Sequence, residues 1–480
     1  MQIDPKKLAQ YRSYKDLPPV AGLCSVAEAA RTGLGIKACV DRLKRYHYAF
    51  KRLHQIFTAR ITAEPIMELK TAFSLHAYLC AEHVAALRDR VAEMREPPLG
   101  LDVVPDENLR LFFDEILAAD TTAELVAGLY GTALPALRSA VERHIQDTNP
   151  LVDQPSIRVC RFALMELEDM IDFGGQAIEK LVDPGADADM QPWLKLLRTA
   201  LAATGGLDGA DAIQAAELEP MRSARPYRYD PVPQRDERFT DLWNQGVNAE
   251  AFLYDPDMPA EAKVLMMLFK RLREIDVPEM MASYITETTD KPWAYYRDNS
   301  RQLWDEARHA LMGEVGFAAL GLDWTTLPIT HNWSHRLNTQ CEPQERHAVL
   351  WFIEQGLMSK TGKRYEWEVA TQSANPLSAL FQDYDWADEV LHAQLGRKWY
   401  VKEMGSREKA KAYGDACWSR ILSNWEAVRD QGLTEHANWW PDFYRAACEA
   451  AGTAPDPRAL AFNTSYADSR PDLKGVGASG

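Results

Sequence analysis

The chain lacks most of the features by which a function is first sorted. Its 480 residues hold only seven cysteines, at 24, 39, 80, 160, 341, 417 and 448, an odd number with no Cys-x-x-Cys pair. That spacing excludes a disulfide framework and a zinc knuckle, and reads as reduced, buried thiols of a cytoplasmic protein. No apolar run reaches the roughly 18–20 residues of a membrane span. The opening stretch, Met1-Gln2-Ile3-Asp4-Pro5-Lys6-Lys7, has no apolar signal core. Basic charge is in deficit: 54 Lys and Arg face 70 Asp and Glu, a net charge of −16. A chain this acidic lacks the electrostatic footprint of a nucleic-acid or anionic-membrane binder, so neither partner is expected. There is no Walker loop, no Gly-x-Gly-x-x-Gly and no Gly-x-Ser-x-Gly. Strand signals, short alternating runs of Val, Ile and Thr closed by turn residues, are nearly absent.

Helical periodicity is what the sequence does contain, and the expected fold class is all-α. With 46% hydrophobic and 26% charged residues the composition is globular, and the length allows roughly two to four domains. Long amphipathic helices are predicted over 36–63, 65–95, 106–118, 121–146 and 157–182, with a break at Pro97-Pro98-Leu99-Gly100 and shorter helices over 191–204 and 209–217. Residues 218–236, rich in Pro and Arg and without a period, mark an inter-domain linker. The expected division is an N-terminal helical domain over 1–215, a linker over 216–258, a four-helix bundle over 259–400, further helices over 401–465 and a flexible tail over 466–480.

Two windows of the third segment carry the chemistry. Glu306-Ala-Arg-His309 and Glu389-Val-Leu-His392 each set a carboxylate and an imidazole three residues apart. On a helix both then point the same way, offering a metal one oxygen and one nitrogen ligand. One such pair is common on a solvated helix: eleven histidines predict about one by chance. The surroundings add weight. Glu306 and His309 lie among Leu303, Trp304, Ala310 and Leu311, and Glu354 follows Trp351-Phe352-Ile353. Burying such groups costs several kcal/mol unless a partner satisfies them. Residues 260–288 read as one helix that turns at Thr289-Asp290-Lys291-Pro292 into a second, running to about 319. Glu274 and Glu306 are equidistant from Asp290, so antiparallel helices bring them level. Glu279 is offset by about 7.5 Å of helix rise and stands as the alternative to Glu274. In the second hairpin Glu354 precedes Glu389 by 35 residues, with the turn near Ser373-Ala374-Asn375-Pro376 and unequal arms. Residues 321–345, without a clear helical period, are long enough to cross a bundle.

The order Glu, Glu-x-x-His, long crossover, Glu, Glu-x-x-His resembles the ferritin-like superfamily of carboxylate-bridged di-iron and di-manganese proteins, over residues 259–400. The resemblance implies a ferritin-like four-helix bundle in which Glu306 and Glu389 bridge or chelate two metals. His309 and His392 each cap one metal, and Glu274 and Glu354 are terminal ligands. The cofactor it implies is two iron ions, or manganese, with electrons from an external donor. The partners it implies are dioxygen and a small organic substrate, as in a non-haem oxidase or oxygenase. No residue beyond the ligands is assigned to catalysis. The alternatives are a non-catalytic iron- or metal-binding protein and a structural helical protein of the same fold.

A short internal match extends the reading. Lys51-Arg-Leu-His-Gln-Ile56 aligns with Lys270-Arg-Leu-Arg-Glu-Ile275, and Leu79–Arg88 with Leu303–Met312. Gln55 then stands for Glu274, Glu82 for Glu306 and Ala85 for His309. The N-terminal half is therefore expected to be a degenerate, metal-free copy of the bundle that serves as scaffold, lid or homodimer surface. Other clusters favour packing or solvation over ligation: His76 and His83 on one helix, His331 and His335 in the crossover, and the acidic stripe Glu166, Glu168, Asp169 and Asp172.

Overall fold

The computed structural model describes residues 5–94, 100–183, 187–358, 362–422 and 430–466, and among them there are helices and no strand. The Pro97-Pro98-Leu99 break lies outside the described residues. The chain forms two compact units, one of residues 1–56 and 79–228, the other of residues 57–78 and 229–480. The division differs from a single cut at the Pro/Arg-rich stretch, because the second unit takes up the turn between the first two long helices.

Helices α1 (Ile36–Arg60) and α2 (Met67–Glu93) are followed by α3 (Glu107–Leu117), α4 (Thr122–Gly128), α5 (Leu134–Asp147), α6 (Gln154–Leu181) and α7 (Asp187–Ala203). The Asp106 side chain starts α3 by accepting from the backbone N–H groups of Asn108 and Leu109, and Thr121 does the same for α4 through Glu124. A π-helical turn, Leu129–Ala133, joins α4 to α5, where one continuous helix was expected. The helix expected over 209–217 does not form. Gly205 and Gly206, both at positive φ, turn the chain out of α7, and Arg45 holds the carbonyls of Thr204, Gly206 and Leu207. The core of this unit includes Phe50, Leu53, Phe112, Leu125, Leu137 and Trp193. Inside it, the Glu115 carboxylate accepts from Trp193 Nε1 and the backbone N–H groups of Met221, Arg222 and Ser223 at 2.8–3.1 Å, and from Ser223 Oγ at 2.6 Å.

The second unit contains α8 (Ala260–Arg273), α9 (Asp276–Glu287), α10 (Trp293–Ala319), α11 (Asn332–Gln340), α12 (Pro343–Leu357), α13 (Lys363–Gln372), α14 (Pro376–Gly396), α15 (Arg407–Leu422) and α16 (Trp440–Ala451). The helix expected over 260–288 is two helices. Pro278 has no N–H to give the carbonyl four residues back, and its ring crowds that carbonyl. The carbonyl belongs to Glu274, where the chain tightens into i−3 hydrogen bonds and α8 ends. The crossover 321–345 carries α11, so His331 and His335 lie at and within a helix, where both rings pack edge-on against Trp243. The hairpin expected between Glu354 and Glu389 contains an additional helix, α13, which accounts for its longer span. Helix α10 packs on α8, α9 and α14; α12 packs on α9 and α14; α13 packs on α8 and α14. Of the expected tail only Tyr466 is described, and its hydroxyl bonds to Glu250 at 2.5 Å and to Arg273. No described helix is long and apolar enough to cross a membrane.

Candidate metal centre

Four helices bring the six sequence-predicted ligands to one core. Glu274 caps the C-terminus of α8, α10 supplies Glu306 and His309, α12 supplies Glu354, and α14 supplies Glu389 and His392. Gly313, one turn beyond His309, sets the spacing of α8 and α10. A Cβ there would lie 2.3 Å from the Leu272 backbone nitrogen, an approach only glycine permits. Glu306, Glu354, Glu389 and His392 offer donor atoms that all lie within 4.8 Å of one another. So do Glu274, Glu306 and His309, and so do His309, Asp385 and Glu389. Glu306 and Glu389 each belong to two of these groups, the positions from which a carboxylate can reach two ions.

Each of the six residues keeps one buried atom without a hydrogen-bond partner. Glu274 Oε2, Glu306 Oε1, His309 Nδ1, Glu354 Oε2, Glu389 Oε2 and His392 Nδ1 are all sealed from solvent without a hydrogen-bond partner. They face one another at short range: His392 Nδ1 is 3.1 Å from Glu306 Oε1 and 3.5 Å from Glu389 Oε2, and His309 Nδ1 is 3.4 Å from Glu274 Oε2. Buried polar atoms are nearly always paired, so each of these asks for an explanation. Atoms that converge without hydrogen-bond alignment are the arrangement a cation requires.

The outer imidazole nitrogens are held crosswise. His309 Nε2 meets Asp388 Oδ2 at 3.1 Å, and His392 Nε2 meets Asp305 Oδ2 at 3.4 Å. Each aspartate immediately precedes the glutamate of the opposite pair, so the motif is Asp-Glu-x-x-His in both helices. Sequence reasoning stopped at Glu-x-x-His; an acid directly before both glutamates was the signal. Such carboxylate–imidazole contacts fix the ring and its tautomer so that Nδ1 is offered to a metal. Arg308 bridges Asp305 and Asp388 at 2.7 Å each, and Arg301 adds a contact to Asp305 at 2.9 Å.

Charge in the core is unbalanced. Counted as ionised, Glu274, Glu306, Glu354, Asp385 and Glu389 place five negative charges against the two positive charges of Arg271 and Lys363, which leaves three uncompensated. Without an ion, protons must serve instead. Burial alone would lower the His309 pKa, but Asp388, Glu274 and Glu306 push it up to about 10. His392 is raised well above its ordinary value against the same burial, chiefly by Asp305 and Glu306. Burial and the neighbouring Glu389 raise the Glu354 carboxyl well above the carboxylate range. Metal binding would release such protons.

Glu279, the alternative to Glu274, is not part of the cluster. It is fully buried in its own ion pairs, 2.6 Å from Lys70 and 2.7 Å from Arg235, because the break at Glu274 turns α9 onto a different course. The other weak candidates are engaged elsewhere: His76 packs edge-on against Phe57, and His83 pairs with Glu166 at 2.6 Å. Sequence reasoning also missed Arg271, Lys363 and Asp385. The first two sit in runs that read as solvated surface.

A cavity of about 500 Å³ opens on the cluster within the second unit. Glu274, Glu306, Glu354 and Glu389 line it, whereas the two histidines do not. Its apolar wall includes Leu350, Ile353, Leu357, Trp333, Trp418 and Trp439. Glu274 keeps 15% of its side chain exposed on this side.

One further grouping, Cys39, His144 and Asp153, lies in the first unit. There the Asp153 charge is matched by Arg90 at 3.1 Å, and its oxygens accept from Thr148 Oγ1 at 2.7 Å and from the Cys39 thiol at 3.2 Å. No protein-family model, curated protein or solved structure matches the chain.

Proposed function

We propose that this chain is a di-metal oxidoreductase of ferritin-like type, an oxidase or oxygenase in which two iron or manganese ions use dioxygen to oxidise a small organic substrate. One observation carries the reading: six side chains, each with a buried donor atom that has no hydrogen-bond partner, meet at one place, and their carboxylates together with Asp385, counted as ionised, exceed the neighbouring chain cations by three. Mixed carboxylate and imidazole donors suit iron or manganese better than zinc or magnesium. Glu306 and Glu389 would bridge the ions, His309 and His392 would cap one each, and Glu274 and Glu354 would complete the set. When bound and reduced, the ions supply electrons to dioxygen.

The protein's own part follows from its geometry. Carboxylates face the cavity while imidazoles are anchored by Asp388 and Asp305, so the cavity meets the cluster on its carboxylate face. The Trp and Leu side chains of the wall keep that space poor in water, and a cavity of 300–1,000 Å³ is the usual size for a small ligand. A metal store or a bare scaffold has no need of such a cavity. No flavin or iron–sulfur motif is present in the sequence, so electrons come from an external donor.

Glu306→Ala and His392→Ala should each lower bound metal from about two ions per chain to one or fewer. Elemental analysis of the purified protein reads this directly. Unchanged stoichiometry in both variants rejects the ligand assignment.

A further inference from the structure

We propose that Lys363 makes the two metal positions unequal. In this reading the position formed by Glu306, Glu354, Glu389 and His392 fills first. The position formed by Glu274, Glu306 and His309 fills second and more weakly. The inference rests on the di-metal reading and adds to it an order of loading and the residue that sets it.

The two chain cations of the core both pair with Asp385. Lys363 Nζ lies 2.8 and 3.0 Å from the two oxygens of Asp385, 2.9 Å from Glu389 Oε1 and 3.8 Å from Glu274 Oε1. Arg271 pairs with Glu274 at 2.7 Å and with Asp385. Among the described residues, no ion pair joins a lysine or arginine to Glu306 or Glu354. Each position therefore has one ligand in contact with a chain cation, Glu389 in the first, which offers four donors, and Glu274 in the second. The second offers three, and the neighbouring carboxylate edge of Asp385 and Glu389 is already engaged by the ammonium.

Lys363 is built into place. It is fully buried at the first residue of α13, the helix inserted between the ligand helices α12 and α14. Gly362, just before it, passes so close to the preceding segment that a Cβ would lie 2.0 Å from the Leu357 carbonyl oxygen. Only glycine fits, and the next side chain is directed inward. A buried ammonium is costly unless carboxylates surround it, and here three do.

The charge count points the same way. With five carboxylates and two chain cations, one divalent ion reduces the excess from three negative charges to one. A second overshoots to one positive charge. A neutral residue at 363 removes the overshoot. Lys363 holds Asp385 Oδ1, which faces His309, and Glu389 Oε1 rather than the Oε2 that faces His392, so its charge bears more on the second ion than on the first. Like charges a few ångströms apart in a partly buried site repel strongly, and a gap of at least about tenfold between the two affinities is expected.

The test is an anaerobic titration of the full-length, metal-free chain with Mn(II). Electron paramagnetic resonance reports both free ion and the exchange-coupled pair. The wild type should bind in two separated steps, with the coupled signal confined to the second. Lys363→Met should narrow the gap to about threefold or less, with coupled signal from the first additions. Lys363→Gln, which keeps a hydrogen-bond donor for Asp385, provides the same reading should the methionine variant not fold. Lys363→Arg should preserve the gap. A merely structural lysine would weaken both steps alike when replaced. Two equal, tight steps in the wild type, or a gap unchanged in the neutral variants, overturn the role of Lys363 and leave the di-metal centre standing. No uptake of Mn(II) at all overturns both.

Discussion

Glu115 in the first unit and Glu354 in the second are both carboxylates sealed from solvent, and their surroundings are opposite. Glu115 is met by five N–H and O–H donors, so its charge is spread over local dipoles and nothing further is required. Glu354 has one contact from a neutral donor, Gln302 Nε2 at 3.3 Å, and otherwise faces Glu389, Glu306 and His392. The histidines repeat the contrast. Burial drives His47 and His54 of the first unit down to about 3, whereas carboxylates drive His309 of the second up to about 10. Burial of a charged residue is thus no sign of a site. The sign is a buried donor atom left over after the protein's own partners are counted.

The comparison can be broken most readily at the two glutamates. Glu115→Gln should cost the chain about 3 kcal/mol, because an amide nitrogen then faces donors it cannot accept from. Glu354→Gln in the metal-free chain should change stability by less than about 1 kcal/mol, because burial and Glu389 already hold that carboxyl uncharged and the amide is a neutral replacement. Denaturant titration of both variants after chelation measures the difference, and equal losses would erase the distinction.

The histidines sharpen it on the pH axis. A histidine whose folded pKa lies below its unfolded value contributes stability that is intact above about pH 6.5 and declines as pH falls toward the folded value, here about 3. His54→Gln should flatten the loss of stability between pH 6.5 and 5 by about 1 kcal/mol per pH unit. An unaltered slope would mean that His54 is not held neutral. The smallest effect belongs to the Cys39 cluster. Burial and Asp153 push the Cys39 thiol up to about 12, so native protein should not be alkylated at Cys39 over hours at pH 8, as peptide mass spectrometry would show. Rapid labelling would show that the cluster is open and its thiolate accessible.

The i, i+3 pairs and the equal arms around Asp290 were readable because helix geometry decides which side chains share a face and a level. Glu274 was placed correctly beside Glu306 even though the single helix assumed for it is broken. What escaped reading was not periodic. Pro278 four residues after Glu274 predicted the break but lay within an otherwise regular pattern. Helix α13 is ten residues long, short enough to pass as part of a lopsided turn. Lys363 and Arg271 look like surface residues until three-dimensional packing surrounds them with acids. The candidate ligands were legible from spacing, whereas their counter-charges became visible only by proximity.

The crossed contacts between Asp305 and His392, and between Asp388 and His309, have an implication for assembly. Each hairpin holds the part that aligns the other's imidazole, so neither half can mature alone. During synthesis the ring of His309 must wait some eighty residues for its anchor. A fragment ending before α14 would carry four of the six donors, on α8, α10 and α12, with His309 lacking the Asp388 contact that orients its ring. Both candidate rings are therefore fully oriented only late, when the last of the four helices docks.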